Sequence, residues 1–297
     1  MKLKRRLDSL LYAALAIRLT RHRSSVRIPL SDRLAMQRQT ASEPIVSPYR
    51  EYQPVAELSE YVECFWTHEA ATPQLGHRVL PDGCSDILFT EPTDGRNELL
   101  LVGTMTRAAV FDLPRGWFLG VRFRPGMAPS LTRLPGKESV DRRLPLAEVW
   151  GAKAIHLSER LLASASIKES MALIEAELTA ELKNQSGNRR SANSAQRVLQ
   201  WAGEARGIVR VDDLADHSGL STRQLRRLCL DLTGLTPKQL CRAIRFRHAA
   251  VQTQFARRGE WAQVALDCGY YDQAHFINEF RALSGLTPSE YCALGAP

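Results

Sequence analysis

The 297-residue sequence lacks the short signatures that bring catalytic chemistry with them. It has no G-x-x-x-x-G-K-[ST] phosphate loop, no G-x-G-x-x-G behind a strand pattern, no G-x-S-x-G and no H-E-x-x-H. Its six cysteines (64, 84, 229, 241, 268 and 292) form no C-x-x-C pair and no Cys/His ligand spacing. That pattern speaks against a zinc module and for buried free thiols in a reducing cytoplasm. Near the start, the apolar run from Leu10 to Ile17 is eight residues long, too short to cross a bilayer. Net positive charge is scarce outside the leader. The chain carries +8 in all, yet residues 1–40 alone hold +8, residues 41–190 hold −3 and residues 191–297 hold +3. The high isoelectric point therefore belongs to the leader and says little about what the rest of the chain binds.

What is present is a pattern written twice. Residues 211–241 (VDDLADHSGLSTRQLRRLCLDLTGLTPKQLC) and 261–292 (WAQVALDCGYYDQAHFINEFRALSGLTPSEYC) each read as a short helix, a glycine turn and a longer helix closed by the same cap. Gly219 maps onto Gly269 at an offset of 50 and, past one inserted residue in the turn, Gly234 to Pro237 map onto Gly285 to Pro288 at 51. Each copy is a helix-turn-helix pattern. In the first, Val211, Leu214 and Ala215 share one face, Gly219 supplies the positive φ of the turn, and Ser221 with Gln224 has capping-box spacing. Leu225, Leu228, Cys229 and Leu232 form the core stripe, which leaves Arg223, Gln224, Arg226 and Arg227 exposed. In the second, Val264, Ala265, Phe276 and Phe280 point inward, Gln273, Ala274, His275 and Asn278 outward, and Arg281 toward a phosphate. Residues 237–256 read as a joining helix with Leu240, Ile244, Ala249 and Val251 inward and Arg242, Arg245 and Arg247 mostly outward. A rigid helix of about 18 residues spans roughly 27 Å, enough to hold two groove-reading helices about one turn of B-DNA apart.

The block 195–292 resembles the DNA-binding domain of the AraC/XylS family of bacterial transcription regulators. The resemblance rests on Leu214-Ala215, Gly219-Leu220-Ser221, the two GLTP caps, Arg242 with Arg245 and Ala249, Gly269-Tyr270, Asp272-Gln273, His275-Phe276, Phe280-Arg281 and Tyr291. Cys229 stands where an aromatic is usual and Leu240 where tyrosine is usual, both at core positions. The resemblance implies base-reading roles for Arg223, Arg226, Arg227, Gln273, Ala274, His275 and Asn278. It also implies duplex DNA and RNA polymerase as partners, and leaves room for a small-molecule effector and a homodimer, with no membrane partner. No catalytic residue, metal ligand or cofactor is assigned.

The front half changes character. Short runs rich in Val, Ile, Phe and Trp at 61–68, 77–80, 85–90, 98–103, 107–112 and 117–124 alternate with turns such as Pro81-Asp82-Gly83 and Pro114-Arg115-Gly116. They imply an antiparallel sheet or small barrel. Helices are expected at 152–164 and 167–183, and the polar stretch 184–194 is expected to be a linker. HRVLPDGCSDILF at 77–89 and FLGVRFRPG at 118–126 resemble a front domain found on some members of the same family. His77, Asp82, Cys84 and Asp86 are possible ligand types for a metal or effector. In the plainer reading, Asp82 and Asp86 satisfy backbone or arginine donors (Arg78, Arg122, Arg124) and Cys84 packs.

The expected fold class is α+β. A basic leader at 1–44, disordered or translated from a start upstream of Met36, precedes a β-rich sensor or dimerisation domain with C-terminal helices at 45–183. A linker at 184–194 then leads to an all-α domain at 195–297, built from two helix-turn-helix units joined by a long helix. The function expected is sequence-specific DNA binding through helices at about 222–232 and 272–283. The alternative is a front domain that is a metal- or metabolite-binding module or an enzyme, with the DNA-binding domain as accessory.

Overall fold

Alternation at period two decides the front half. In the computed structural model, which describes residues 49–184, 189–256 and 259–295, eight strands form there. They are β1 (Arg50–Tyr52), β2 (Val62–Ala70), β3 (Gln74–Val79), β4 (Asp86–Pro92), β5 (Glu98–Val102), β6 (Ala109–Leu113), β7 (Gly116–Phe123) and β8 (Arg143–Pro145). Six of them make one antiparallel sheet in the order β1-β2-β7-β4-β5-β8, while β3 and β6 pair separately as a two-stranded ribbon. The expected leader lies outside the described residues.

One face of the six-stranded sheet is core. Phe65, Ile87, Phe89, Leu101, Leu119, Val121 and Phe123 point into it. It is closed by α4 (Ala152–Ala163) and α5 (Ile167–Lys183) through Leu157, Leu161, Met171, Ile174 and Leu178. Each such side chain, fully buried, contributes about 1.5–3 kcal/mol. Ahead of these come short helices α1 (Ala128–Thr132), α2 (Gly136–Ser139) and α3 (Leu146–Trp150). The other face carries the alternate residues, among them Trp66, His68, Leu88, Phe118 and Arg122, and the β3–β6 ribbon lies over it. Between sheet and ribbon is a cavity of about 470 Å³. Gly120 belongs to this second face. A Cβ there would come within 2.0 Å of the Trp66 ring, so the indole lies against bare backbone where any side chain would collide.

The rest of the described chain is helical: α6 (Arg189–Glu204), α7 (Val211–Ser218), α8 (Thr222–Thr233), α9 (Pro237–Phe255), α10 (Trp261–Asp267), α11 (Gln273–Ser284) and α12 (Pro288–Gly295). Two cores serve them. Val198, Ala202, Leu214, Leu225, Cys229 and Leu240 fill one, and Phe246, Trp261, Val264, Phe276, Phe280 and Tyr291 the other. The joining helix α9 contributes to both.

Two expectations are corrected. Residues 189–194 of the expected linker lie in the first turns of α6. The apolar spacing of Ala195, Val198, Leu199 and Ala202 gives that helix a buried side, and its polar start continues the same helix. The arginines of α9 are not outward: Arg242, Arg245 and Arg247 are half-buried, each in an ion pair.

Gly120→Ala should destabilise the front region by about 1–3 kcal/mol, because the Trp66 ring must leave its place. A lowered urea midpoint together with a changed tryptophan fluorescence would be the signature; an unchanged midpoint would contradict the packing described.

Candidate functional site

The two helix-turn-helix units repeat each other down to individual hydrogen bonds. The turn glycines Gly219 and Gly269 take left-handed φ values of 65° and 70°. At the first candidate reading helix, α8, the Ser221 hydroxyl accepts from the Gln224 N–H at 3.3 Å, and the Gln224 side-chain oxygen accepts from the Ser221 N–H at 2.9 Å. At the second, α11, Asp272 caps by accepting from the His275 N–H at 2.7 Å. At the far ends, Thr233 Oγ1 donates to the Cys229 carbonyl (2.8 Å) and Ser284 Oγ to the Phe280 carbonyl (2.6 Å). Each hydroxyl then accepts the N–H two residues on, from Leu235 and Leu286, at 3.1 Å in both. Thr236–Gln239 and Thr287–Glu290 next cap α9 and α12 in the same reciprocal way.

On α8 the residues expected to face outward do so: Arg223, Gln224, Arg226 and Arg227 are exposed, while Leu225 and Cys229 are fully buried. On α11, Gln273, Ala274, Asn278 and Arg281 are exposed. His275 is half-buried. Its Nδ1 accepts the Tyr271 N–H at 3.2 Å, and its ring meets Tyr270 edge-on at 5.5 Å. The imidazole thus shapes the turn. The inserted residue of the second turn is Tyr271, which the sequence reading did not single out and which is 91% exposed beside the start of α11.

The second unit is fixed to the joining helix by charge. Glu279 of α11 accepts from Arg242 Nε at 2.6 Å and from Arg245 Nη2 at 3.2 Å, and the Arg245 guanidinium lies 4.9 Å from the centre of the Tyr270 ring. These arginines therefore serve orientation. Their sequence positions alone gave no partner, because Glu279 sits 37 and 34 residues away.

Both candidate reading helices are also held from the front region, at their C-terminal ends. Arg78 Nη1 donates to the Ser284 carbonyl at 2.8 Å, and the Ala108 N–H donates to the Leu283 carbonyl at 2.7 Å. Leu80, just past β3, joins the core of the second unit. At the end of α8, Lys137 pairs with Asp231 at 2.8 Å, and Gly136 meets Gly234 backbone to backbone. Glu63 pairs with Arg247 of α9 at 3.2 Å.

The cavity brings His77, Asp82, Cys84 and Asp86 to one lining. Asp82 accepts from the Cys84 N–H at 2.9 Å and Asp86 from Trp66 Nε1 at 2.8 Å. Arg122 Nε lies 3.7 Å from Asp82 and 3.5 Å from Asp86. Of the three arginines considered as partners, Arg122 fills that role. Arg78 goes to Ser284, and Arg124 Nε donates to the Ser59 carbonyl. Among the described residues no group of three or more His, Cys, Asp or Glu side chains is placed to hold a metal. Burial pushes the Asp86 carboxyl up against the pull of Arg122, and lowers the His77 imidazole to about 4, with neighbouring His68 acting the same way.

Residues 214–293 match a family model described as a helix-turn-helix domain, and residues 50–145 match one described as a domain of unknown function (DUF6597). The chain is similar to the HTH-type transcriptional activator RhaR of Escherichia coli strain K12, 28% identical over 94 residues, 32% of this chain and 33% of that protein. The chain thus spans about a third of the length of the curated relatives it matches. Among solved structures it is similar to a transcriptional regulator with an AraC-type DNA-binding domain from Chromobacterium violaceum. That match has 26% identity, 37% of this chain, 97% of that chain and a TM-score of 0.33. It is also similar to ToxT from Vibrio cholerae O395, at 11% identity over 78% of this chain and 96% of that one, with a TM-score of 0.41.

Glu279→Ala leaves two half-buried guanidinium groups without their acceptor and should cost about 1–3 kcal/mol, read as a lowered melting temperature. The thiols should be quiet. Burial pushes Cys229 and Cys268 up to about 12 and Cys241 up to about 11, and raises Cys64 and Cys84 well above the usual range. At pH 8 the native protein should therefore react slowly with a thiol reagent at these five positions, and all six should react on denaturation. Fast native reaction at any of the five would mean that the local burial described here is wrong.

Proposed function

Given a C-terminal domain of the AraC/XylS helix-turn-helix type, we propose that the chain is a sequence-specific transcription regulator reading two adjacent major-groove segments of duplex DNA. The observation that carries this is the duplicated unit itself. Two side-chain-capped helices each present exposed polar side chains, and they are joined by a 19-residue helix of about 29 Å. That length is of the order of one B-DNA turn, roughly 34 Å.

In this reading Arg223, Arg226 and Arg227 favour guanine edges, and Gln273 and Asn278 favour adenine. Each good bidentate pair is worth about 1–3 kcal/mol of discrimination. Gln224 is committed to its cap, and Ala274 offers only a methyl contact. His275 keeps Nε2 for DNA while Nδ1 holds the turn. Arg281, at the exposed side of the last turn of α11, serves a phosphate. The helical region is only mildly basic, so affinity depends on these placed groups more than on a general positive field.

The finer parts of the proposal concern the front region. Its cavity would take a small effector, and the β3–β6 ribbon would pass occupancy to the second reading helix through Arg78 and Ala108. Contact with RNA polymerase and assembly into a homodimer complete the reading.

Selection of bound fragments from a random DNA pool by the purified protein, followed by sequencing, tests the whole proposal: it should return a bipartite motif with two half-sites about one helical turn apart. Recovery of no motif would sink it. On the selected site, Arg227→Ala should relax preference at one base position by about 1–3 kcal/mol, whereas Arg281→Ala should weaken all sequences alike and reduce the salt slope by about 1. If Arg281→Ala shifts base preference and leaves the salt slope untouched, its assignment to phosphate is wrong.

A further inference from the structure

The cavity under the ribbon has a buried charged row at one end with apolar side chains next to it, and strand register sets the order. Three rows cross its floor from β2 through β7 to β4. Cys64, Arg122 and Asp86 are in register in the first, Trp66, Gly120 and Leu88 in the second, and His68, Phe118 and Thr90 in the third. Asp82 joins the first row through its contact with Arg122. The ribbon roofs the site with His77, Val79, Phe111 and Leu113.

Charge at the first row does not balance. Two carboxylates, Asp82 and Asp86, share the single guanidinium of Arg122, whose side chain is 10% exposed. The other basic groups of the lining are engaged elsewhere. Arg96 pairs with Asp94 at 3.1 Å, Arg143 with Glu98 at 3.4 Å, and Arg78 reaches Ser284. The two carboxylates also keep spare acceptor capacity. An ionised carboxylate offers about four lone-pair sites, and each of these accepts one hydrogen bond from a neutral N–H. What the first row lacks is a donor carrying positive charge. Beyond it Trp66, Leu88, Phe118, Val79 and Phe111 give the lining an apolar stretch, and the charges further along are the Arg96–Asp94 and Arg143–Glu98 pairs and Asp112, which accepts from the Gly76 N–H. The imidazole of His77 is held neutral by its burial and so adds no charge.

Taking the cavity as the effector site, as above, we propose that it binds a small amphipathic organic cation. An amine or amidine head would lie against Asp86 and Asp82, with an aromatic or branched aliphatic body over Trp66, Leu88 and Phe118. The head would supply the missing donors and restore neutrality to the buried row. The indole of Trp66, next to the head, adds a cation–π attraction. The body would fill space under the ribbon, and a volume of about 470 Å³ is in the usual range for such sites.

Three probes of one shape separate the possibilities by calorimetric titration of the full chain: 2-phenylethylamine, 2-phenylethanol and 3-phenylpropanoate. The amine should bind about tenfold or more tighter than the alcohol, as expected for a hydrogen bond to a charged group, and the carboxylate should bind weakest. Asp86→Asn keeps the shape and the acceptor for Trp66, and should weaken the amine much more than the alcohol, so that the amine's advantage is lost. Asp82→Asn should act in the same direction and serves if the first variant does not fold. Equal binding of amine and alcohol, or preference for the carboxylate, overturns the cation assignment and leaves the effector reading standing. If none of the three binds, the cation assignment and the effector reading fall together, while DNA binding, tested by fragment selection, is untouched.

Discussion

Both candidate reading helices are gripped at their C-terminal ends, and the rest of the arrangement follows from that. A helix leaves its last carbonyls without intrahelical partners. Here Leu283 and Ser284 of α11 receive theirs from Ala108 and Arg78 of the front region, and Asp231 near the end of α8 receives Lys137. Cations and N–H donors suit that end of a helix dipole. The grip leaves the opposite ends of α8 and α11 uncovered, where Arg223, Gln224, Gln273 and Ala274 are exposed. The contacts that unite the two halves of the chain thus lie away from the N-terminal turns proposed to meet bases, and Arg281, in the gripped turn of α11, is left exposed on its other side.

Between the two units, the joining helix is more than a ruler. Phe246, Ala249 and Ala250 are fully buried in the second core, and Leu240 and Ala243 belong to the first. A helix that belongs to two cores cannot rotate for one unit without disturbing the other. The Glu279 pairs with Arg242 and Arg245 add a directional term to that packing. Charge-assisted hydrogen bonds of this kind contribute geometry as well as energy. The specific reading proposed at two places would demand such fixity, since placed side chains, and not net charge, are what the helical region would offer DNA.

Most of this was legible in the sequence, for stated reasons. Helix caps and turns are local, so Ser221 with Gln224, the glycines at 219 and 269 and the repeated GLTP could be read from spacing alone. The strands followed from clustered β-branched and aromatic residues, and six of the eight were placed close to their observed positions. The two that were missed, β1 and β8, are three residues each, too short for alternation to show. What stayed hidden was long-range pairing. Periodicity assigns Arg242, Arg245 and Arg247 to a polar side of a helix, but nothing local says that Glu279 and Glu63 face that side. The ribbon's separation from the main sheet was equally invisible, because the alternation of 77–80 and 107–112 fits membership of either sheet. The helical start of α6 was concealed by polar composition, which suits a linker and a solvated helix alike.

In the effector reading proposed above, that separation of the ribbon would give the front region a physical means of reporting on its own cavity. A lone two-stranded ribbon is marginal in water and needs a packed face to persist. On one side β3 and β6 face the cavity with His77, Val79, Phe111 and Leu113. At their ends, Leu80, Arg78 and Ala108 lean on the second helical unit. The ribbon's stability is therefore shared between the contents of the cavity and the last turn of α11. A change in one changes the free energy available to the other, in both directions, because coupling through a shared element is reciprocal. In that reading no rearrangement of the six-stranded sheet would be required, because its far face is packed into a separate core with α4 and α5 and the ribbon is not hydrogen-bonded into it.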